Sequence, residues 1–280
     1  MESSIQGKMI RELIAHFSSD LLIGKKIKNG DLRKKLVNVE PRWRCPEGFS
    51  WTEIQMKDFT MDWLVPEENN REKVVLQLHG GGYIAGMRNA YRTFGVVYSE
   101  LGGNISVLTP DYRGAPEHPF PAALEDALAA FDWLLAQGYA EKDIILAGDS
   151  AGGGLVMSLC FLLRQRKRKL PCGIVAMSPW TDLTQSGDSY VINFERDPLF
   201  GKTKDSMIYN KDYIGDADPK NPYISPLFGK FHDFPPMLIQ VGSYEMLLSD
   251  AVDVANKAKK AGVKVRLAVY EGMFHVFQMG

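Results

Sequence analysis

The sequence predicts an α/β protein built around a mostly parallel β-sheet. Short, nearly continuous apolar runs recur along the chain, as expected of strands covered on both faces. Stretches with helical spacing fill most of the gaps, and strands that alternate with helices are typical of a parallel sheet. The chain has 280 residues, 45% of them hydrophobic and 24% charged, so it is long enough to bury a large core. This length permits one large domain or two small ones.

The strands are predicted from seven apolar runs. The first alternates apolar and polar residues and suits a half-buried strand, whereas the other six suit fully buried strands. They cover residues 59–65, 74–78, 105–109, 143–148, 173–177, 236–242 and 263–270.

Four helices are predicted between these runs. Gly or Pro marks their ends, because Pro favours the first helical position and Gly favours the position just past the last. The helices cover about 90–101, 121–138, 150–169 and 250–260. Residues 180–235 break the alternation and carry nine aromatic residues between Tyr190 and Phe234. This insertion either forms a lid over a pocket or uses its aromatic residues simply to pack against the body.

Charge and cysteine content exclude several classes of function. The 33 Lys and Arg residues nearly balance the 34 Asp and Glu residues, so no nucleic-acid partner and no acidic membrane surface is expected. Three cysteines are too few for a disulfide framework, and the chain has no CxxC or HxxxH spacing. We therefore expect no metal and no cofactor. The start reads as an amphipathic helix rather than a signal peptide, and no run reaches the ~18 apolar residues of a membrane span. The expectation is a soluble, cytoplasmic protein.

The sequence GDSAGG at 148–153 is the sharpest local signal. It follows a predicted strand and precedes a predicted helix, which is the context of a G-x-S-x-G nucleophile elbow. The turn is strained, so Gly148 and Gly152 stand where a Cβ would clash. Ser150 is the candidate nucleophile. The alternative is a glycine-rich turn without chemistry.

The sequence HGGGY at 79–83 follows another predicted strand. Successive glycines leave backbone N–H groups uncovered, and an oxyanion hole needs such donors fixed in place before charge develops on a substrate carbonyl. A phosphate-binding loop is the rival interpretation. The segment lacks the Lys-Ser/Thr of a P-loop and the spacing of GxGxxG.

Six motifs occur along the chain in the order HGGGY, DYRGAPEHPFPAALED, GDSAGGG, SPWTDL, SPL and GMFHVF. This order resembles that of the hormone-sensitive-lipase-like esterases, a branch of the α/β-hydrolases. The chain resembles this family over roughly residues 55–280. The resemblance implies the α/β-hydrolase fold, with a mostly parallel eight-stranded sheet flanked by helices. It also implies a single domain, 1–280, with a cap formed by about 1–45 and 180–235, and a metal-free serine esterase acting on short-acyl esters.

The resemblance also implies the remaining site residues. A triad on this fold runs in the order Ser, acid, His, so His232 and His275 can supply the base, and His275 matches the family position. The family usually carries Asp as the acid, but Glu245 stands at that position, and Asp250 is the alternative. The family match assigns the oxyanion hole to three backbone N–H groups, those of Gly81, Gly82 and Ala151.

The expected partner is a small neutral ester, and a homodimer is possible. A longer-chain lipase and a non-catalytic ligand-binding receptor on the same fold are the alternative functions. Asp149 fits the family's GDSAG form, and we expect it to position the elbow or the oxyanion loop. We expect Ser178 and Asp182 of SPWTDL to brace the start of the cap. Only five residues follow His275, where relatives usually have a final helix. Either the chain is shortened or that face of the sheet is covered otherwise.

Overall fold

The computed structural model describes residues 4–18, 40–201 and 211–279. Within these ranges eight strands form one sheet. The strands are β1 (Phe49–Gln55), β2 (Thr60–Pro66), β3 (Val74–Leu78), β4 (Ser106–Asp111), β5 (Ile144–Asp149), β6 (Gly173–Met177), β7 (Met237–Gly242) and β8 (Val265–Tyr270).

The helices of the described ranges flank this sheet and form parts of the connections. They are α1 (Ile5–Ser18), α2 (Asn89–Leu101), α3 (Ala122–Ala136), α4 (Ser150–Gln165), α5 (Ser189–Ile192), α6 (Lys211–Ile214) and α7 (Leu248–Lys260). Single 3₁₀ turns lie at Glu141–Asp143, Pro226–Phe228 and Phe277–Met279. No helix in the part of the chain that the structure describes is both long enough and apolar enough to cross a membrane.

The strand order is β1-β2-β4-β3-β5-β6-β7-β8. The pairs β1–β2 and β2–β4 are antiparallel, and every other neighbouring pair is parallel. The predicted fold class is therefore confirmed. All seven predicted strands are present with bounds that differ by at most two residues. Strand β1 has no apolar run because it lies at the edge of the sheet and most of its residues are exposed.

Helix α4 is buried along almost its whole length, and its first turns lie close to the segment that follows β6. Three successive glycines permit this approach. A Cβ on Gly153 would lie 2.9 Å from Cα of Pro179, and one on Gly154 would meet the carbonyl oxygen of Trp180. The helix that begins at the elbow can therefore sit directly against the segment that follows β6.

The insertion packs against the body through aromatic side chains. Phe231 and Phe234 contact Phe161 of α4, with ring centroids 5.2 and 4.7 Å apart. Tyr213 stacks on Tyr83 at 3.8 Å. These contacts agree with the packing interpretation of the aromatic residues. Of the predicted cap, residues 1–3, 19–39 and 202–210 lie outside the described residues, and the division into body and cap remains a prediction.

Candidate active site

Ser150 lies at the junction of β5 and α4, at the carboxyl edge of the sheet. Its φ is +51°, in the left-handed region that residues with a Cβ rarely adopt. A Cβ on Gly148 would lie 2.5 Å from the carbonyl oxygen of Gly152, and one on Gly152 would lie 2.6 Å from that of His79. Larger residues at these two glycines would therefore clash with backbone. The local geometry is that of a tight strand–turn–helix elbow with a serine at its apex.

The loop after β3 is tied to the elbow through Asp149. The N–H of Gly80 donates to Asp149 Oδ1 at 3.0 Å and to the hydroxyl of Tyr91 at 2.9 Å. The same hydroxyl donates to Asp149 Oδ2 at 3.2 Å. Burial raises the pKa of Asp149 to about 6, while the nearby His275 and these hydrogen bonds act to lower it. One buried carboxylate, next to Ser150 in the chain, thus links the glycine loop to the elbow.

The next two glycines of this loop present backbone N–H groups. Gly81 and Gly82 have φ values of +116° and +65°. Within the described ranges, no residue accepts a hydrogen bond from either N–H. Ala151 lies in the first turn of α4, where N–H groups have no intrahelical acceptor. Among the described residues, the three N–H groups predicted for an oxyanion hole therefore have no backbone acceptor.

His79, the first residue of the glycine loop, is held in place by aromatic packing and a hydrogen bond. Its ring is fully buried and stacks on Tyr112 with centroids 4.0 Å apart and planes 2° apart. The Tyr112 hydroxyl donates to the carbonyl oxygen of His79 at 2.6 Å. These contacts with Tyr112 fix the start of the glycine loop.

His275 and Glu245 form a buried hydrogen-bonded pair. Nδ1 of His275 lies 2.9 Å from Oε2 of Glu245, and the two residues are 6% and 0% exposed. Oε1 of Glu245 accepts hydrogen bonds from the N–H of Gly242 at 2.5 Å and from the hydroxyl of Ser178 at 2.7 Å. The carboxylate is thereby oriented, with one oxygen held by the protein and the other directed at the imidazole. Such a partner selects the tautomer and stabilises an imidazolium.

Asp250, the alternative acid, has a different environment in the first turn of α7. Its Oδ2 accepts from the N–H groups of Thr181 and Asp182 at 2.8 and 2.7 Å. Burial and the neighbouring charge of Asp182 raise its pKa to about 8, although these donors act to lower it. Asp250 therefore anchors the segment after β6, and the described structure pairs Glu245, not Asp250, with His275.

The other histidines with described side chains do not contact the Glu245–His275 pair. His118 and His232 are exposed, and His79 lies under the glycine loop. Within the described ranges, no cluster of three His, Cys, Asp or Glu residues is arranged to hold a metal ion.

Several contacts around Glu245 were not predicted from the sequence. Ser178, expected to brace the start of the cap, contacts the Glu245 carboxylate. Asn193 donates its side-chain N–H groups to the carbonyl oxygens of Ser243 and Glu245 at 3.0 and 2.8 Å. Asp197 Oδ2 accepts from the N–H of Met246 at 2.7 Å. The insertion therefore holds the loop that carries Glu245. The chain separation of about 50 residues left no local signal for these contacts.

Comparisons with known proteins agree with this geometry. A family of α/β-hydrolase fold, Abhydrolase_3, matches residues 75–279. An acetyl-hydrolase from Streptomyces hygroscopicus is 39% identical over an alignment of 276 residues, which covers 96% of this chain and 88% of that protein. The crystal structure of EstE5 superposes with a TM-score of 0.85 at 32% identity, and the match covers 99% of this chain and 92% of EstE5.

A second solved structure indicates the branch of the α/β-hydrolases to which the chain is similar. It is an esterase from the bacterial hormone-sensitive lipase family, 33% identical with a TM-score of 0.83, covering 100% of this chain and 92% of its own. The chain therefore belongs to the Abhydrolase_3 family of α/β-hydrolases, as an ester hydrolase of the hormone-sensitive-lipase group.

Proposed function

We propose that the protein is a serine carboxylesterase that hydrolyses short-acyl esters of small neutral molecules through Ser150, His275 and Glu245. The observation that carries the proposal is the buried 2.9 Å contact between His275 and Glu245 at the carboxyl edge of the sheet. The same edge carries Ser150 in its strained turn. Nucleophile, base and acid are the three roles that acyl transfer requires.

Catalysis begins when His275 takes the hydroxyl proton of Ser150 as its oxygen attacks the ester carbonyl. The tetrahedral intermediate collapses to an acyl-enzyme, and His275 gives the proton to the leaving alcohol. Water then attacks the acyl group with His275 again acting as base, and Ser150 is released. Glu245 stabilises the imidazolium that forms in each half-reaction.

Negative charge develops on the carbonyl oxygen in both half-reactions. The N–H groups of Gly81, Gly82 and Ala151 are the proposed donors to it. Two observations support this assignment. Both glycines have positive φ values, and Ala151 lies in the first turn of α4. Donors fixed in advance stabilise the transition state without reorganisation, and loss of one typically costs about 10²–10³ in turnover.

Short acyl groups are the proposed substrates. Relatives support this choice by name, because they include the acetyl-hydrolase above and an ethyl acetate hydrolase from Pseudomonas putida that is 31% identical over 216 residues. EstE5 was soaked with p-nitrophenyl butyrate for its crystal structure. Activity should be highest from acetyl to hexanoyl esters. A series of p-nitrophenyl esters that peaked at about C12 would instead favour a lipase.

The test of the chemistry is Ser150→Ala, assayed with p-nitrophenyl acetate and butyrate. Ser158→Ala is the matched control, because Ser158 is also buried in α4 and its hydroxyl only donates to the carbonyl of Gly154 at 3.3 Å. We expect turnover to vanish in the first variant and to persist in the second. Wild-type activity in Ser150→Ala would refute the proposal. A fluorophosphonate probe that fails to label Ser150 in the wild type would favour the receptor alternative.

A further inference from the structure

Ser178 lies directly after β6, between the acid and base loops of the proposed triad. It is fully buried. Its hydroxyl donates to Glu245 Oε1 at 2.7 Å and accepts from the N–H of Val276 at 3.0 Å. One side chain therefore contacts both the acid and the residue that follows His275.

The direction of these two hydrogen bonds is determined by chemistry. The N–H of Val276 can only donate, so the oxygen of Ser178 must accept it. The single hydroxyl proton of Ser178 is then available for the carboxylate, which when ionised can only accept. Because Oε1 of Glu245 also accepts from Gly242, Oε2 is the oxygen left to face His275.

Backbone conformation shows that this contact lies in a constrained region. Ser178 and Val276 have φ values of +46° and +51°. A left-handed conformation is uncommon for any residue with a Cβ and is a clear outlier for a β-branched one. Such conformations persist where the surroundings hold them in place, and they concentrate at functional sites. The hydrogen bond between these two residues joins the two strained positions directly.

We propose that Ser178 is a positioning residue for ester hydrolysis, which orients the Glu245 carboxylate toward His275. The proposal rests on the proposed function. Glu has one more side-chain torsion than the Asp usual in this family, so its carboxylate needs an additional constraint to present Oε2 to Nδ1. Ser178 supplies that constraint through its hydrogen bond to Oε1.

The expected effect falls on turnover rather than on substrate binding, because Ser178 acts through Glu245. A hydrogen bond to a charged group corresponds to about 10- to 100-fold when converted to a rate. Ser178→Ala should therefore lower kcat by about 10- to 100-fold and change KM by less than about threefold.

Two further variants separate positioning from folding. Ser178→Gly also removes the hydroxyl, but Gly adopts a φ of +46° without strain, so this variant should fold even where Ser178→Ala does not. Ser225→Ala is the matched control. Ser225 is equally buried, and its hydroxyl accepts from the distant N–H of Leu183 at 2.9 Å. We expect its kcat to stay within about twofold of wild type.

A double-mutant cycle with Glu245→Ala is the decisive measurement. A residue that acts through Glu245 has no further effect once Glu245 is absent, whereas a structural residue lowers kcat equally in both backgrounds. We expect the loss from Ser178→Gly to shrink to less than about threefold in the Glu245→Ala background. Equal losses in both backgrounds, or wild-type kcat in Ser178→Gly, would overturn the proposal. Neither outcome would affect the result from Ser150→Ala, so failure of the two proposals is distinguishable.

Discussion

Replacing Glu245 by Gln and Asp250 by Asn separates the two carboxylates that the sequence offers as the acid. Each substitution replaces a carboxyl group by an amide with little change in side-chain volume. Oε2 of Glu245 lies 2.9 Å from Nδ1 of His275. Asp250 instead accepts hydrogen bonds from two backbone N–H groups of the segment after β6. The two variants should therefore differ sharply in turnover.

The magnitude follows from the distance. Two unit charges 2.9 Å apart at an effective dielectric of about 20 attract by about 6 kcal/mol. Because each 1.36 kcal/mol is a factor of about ten, this attraction corresponds to a fall in kcat of about 10⁴ when the imidazolium loses its partner. Both groups are almost fully buried, so solvent screens the pair little. Asp250→Asn keeps an acceptor oxygen, and we expect its kcat to remain within about threefold of wild type.

The assay is kcat for p-nitrophenyl butyrate at pH 8, with a thermal melt of each variant to establish that it is folded. A folded Asp250→Asn variant that lost as much activity as Glu245→Gln would refute the assignment of the acid. A fall of less than tenfold in Glu245→Gln would refute the electrostatic reasoning itself.

Three other predictions follow from the same structure. Gly81→Ala places a Cβ 2.7 Å from that of Ala85 at a φ of +116°, so kcat should fall by about 10²–10³, and Gly48→Ala, strained but in open space, should leave kcat unchanged. Tyr91→Phe removes the hydroxyl that links Gly80 to Asp149 and should lower kcat about tenfold, and an unchanged kcat would contradict the positioning role of that hydroxyl. Asp250, whose pKa is about 8 in the folded protein and about 4 unfolded, binds its proton more tightly in the native state. Its contribution to the unfolding free energy therefore falls as pH rises from about 4 to 8, by up to roughly 5 kcal/mol. Urea melts of Asp250→Asn should lack this fall, and an identical pH profile in variant and wild type would contradict it.

Most of the fold could be predicted because its determinants are local. The apolar runs of β3 and β6 match the observed strands residue for residue. Such strands are covered on both faces of the sheet, so nearly every strand position must be apolar. Strand β1 escaped prediction because it lies at the edge of the sheet and its exposed positions carry polar residues.

The elbow and the glycine loop could also be predicted from the sequence, because both need glycine at positions where the local backbone conformation or a close contact disfavours a Cβ. Gly148 and Gly152 are required where a Cβ would meet backbone, and this requirement marks Ser150. The acid was harder to predict, because Glu245 stands where the family usually carries Asp, and Asp250 lies only five residues further on.

The sequence by itself therefore determined the fold class, the strained turn that carries Ser150, and the glycine loop. Only the tertiary structure decided which carboxylate meets His275 and what holds it there. Glu245 is 30 residues from His275, and Ser178 is 67 residues from Glu245 and 98 from Val276. Contacts at such separations arise because parallel strands bring their carboxyl ends to one edge of the sheet, and strand order, rather than any local pattern, determines which loops become neighbours there.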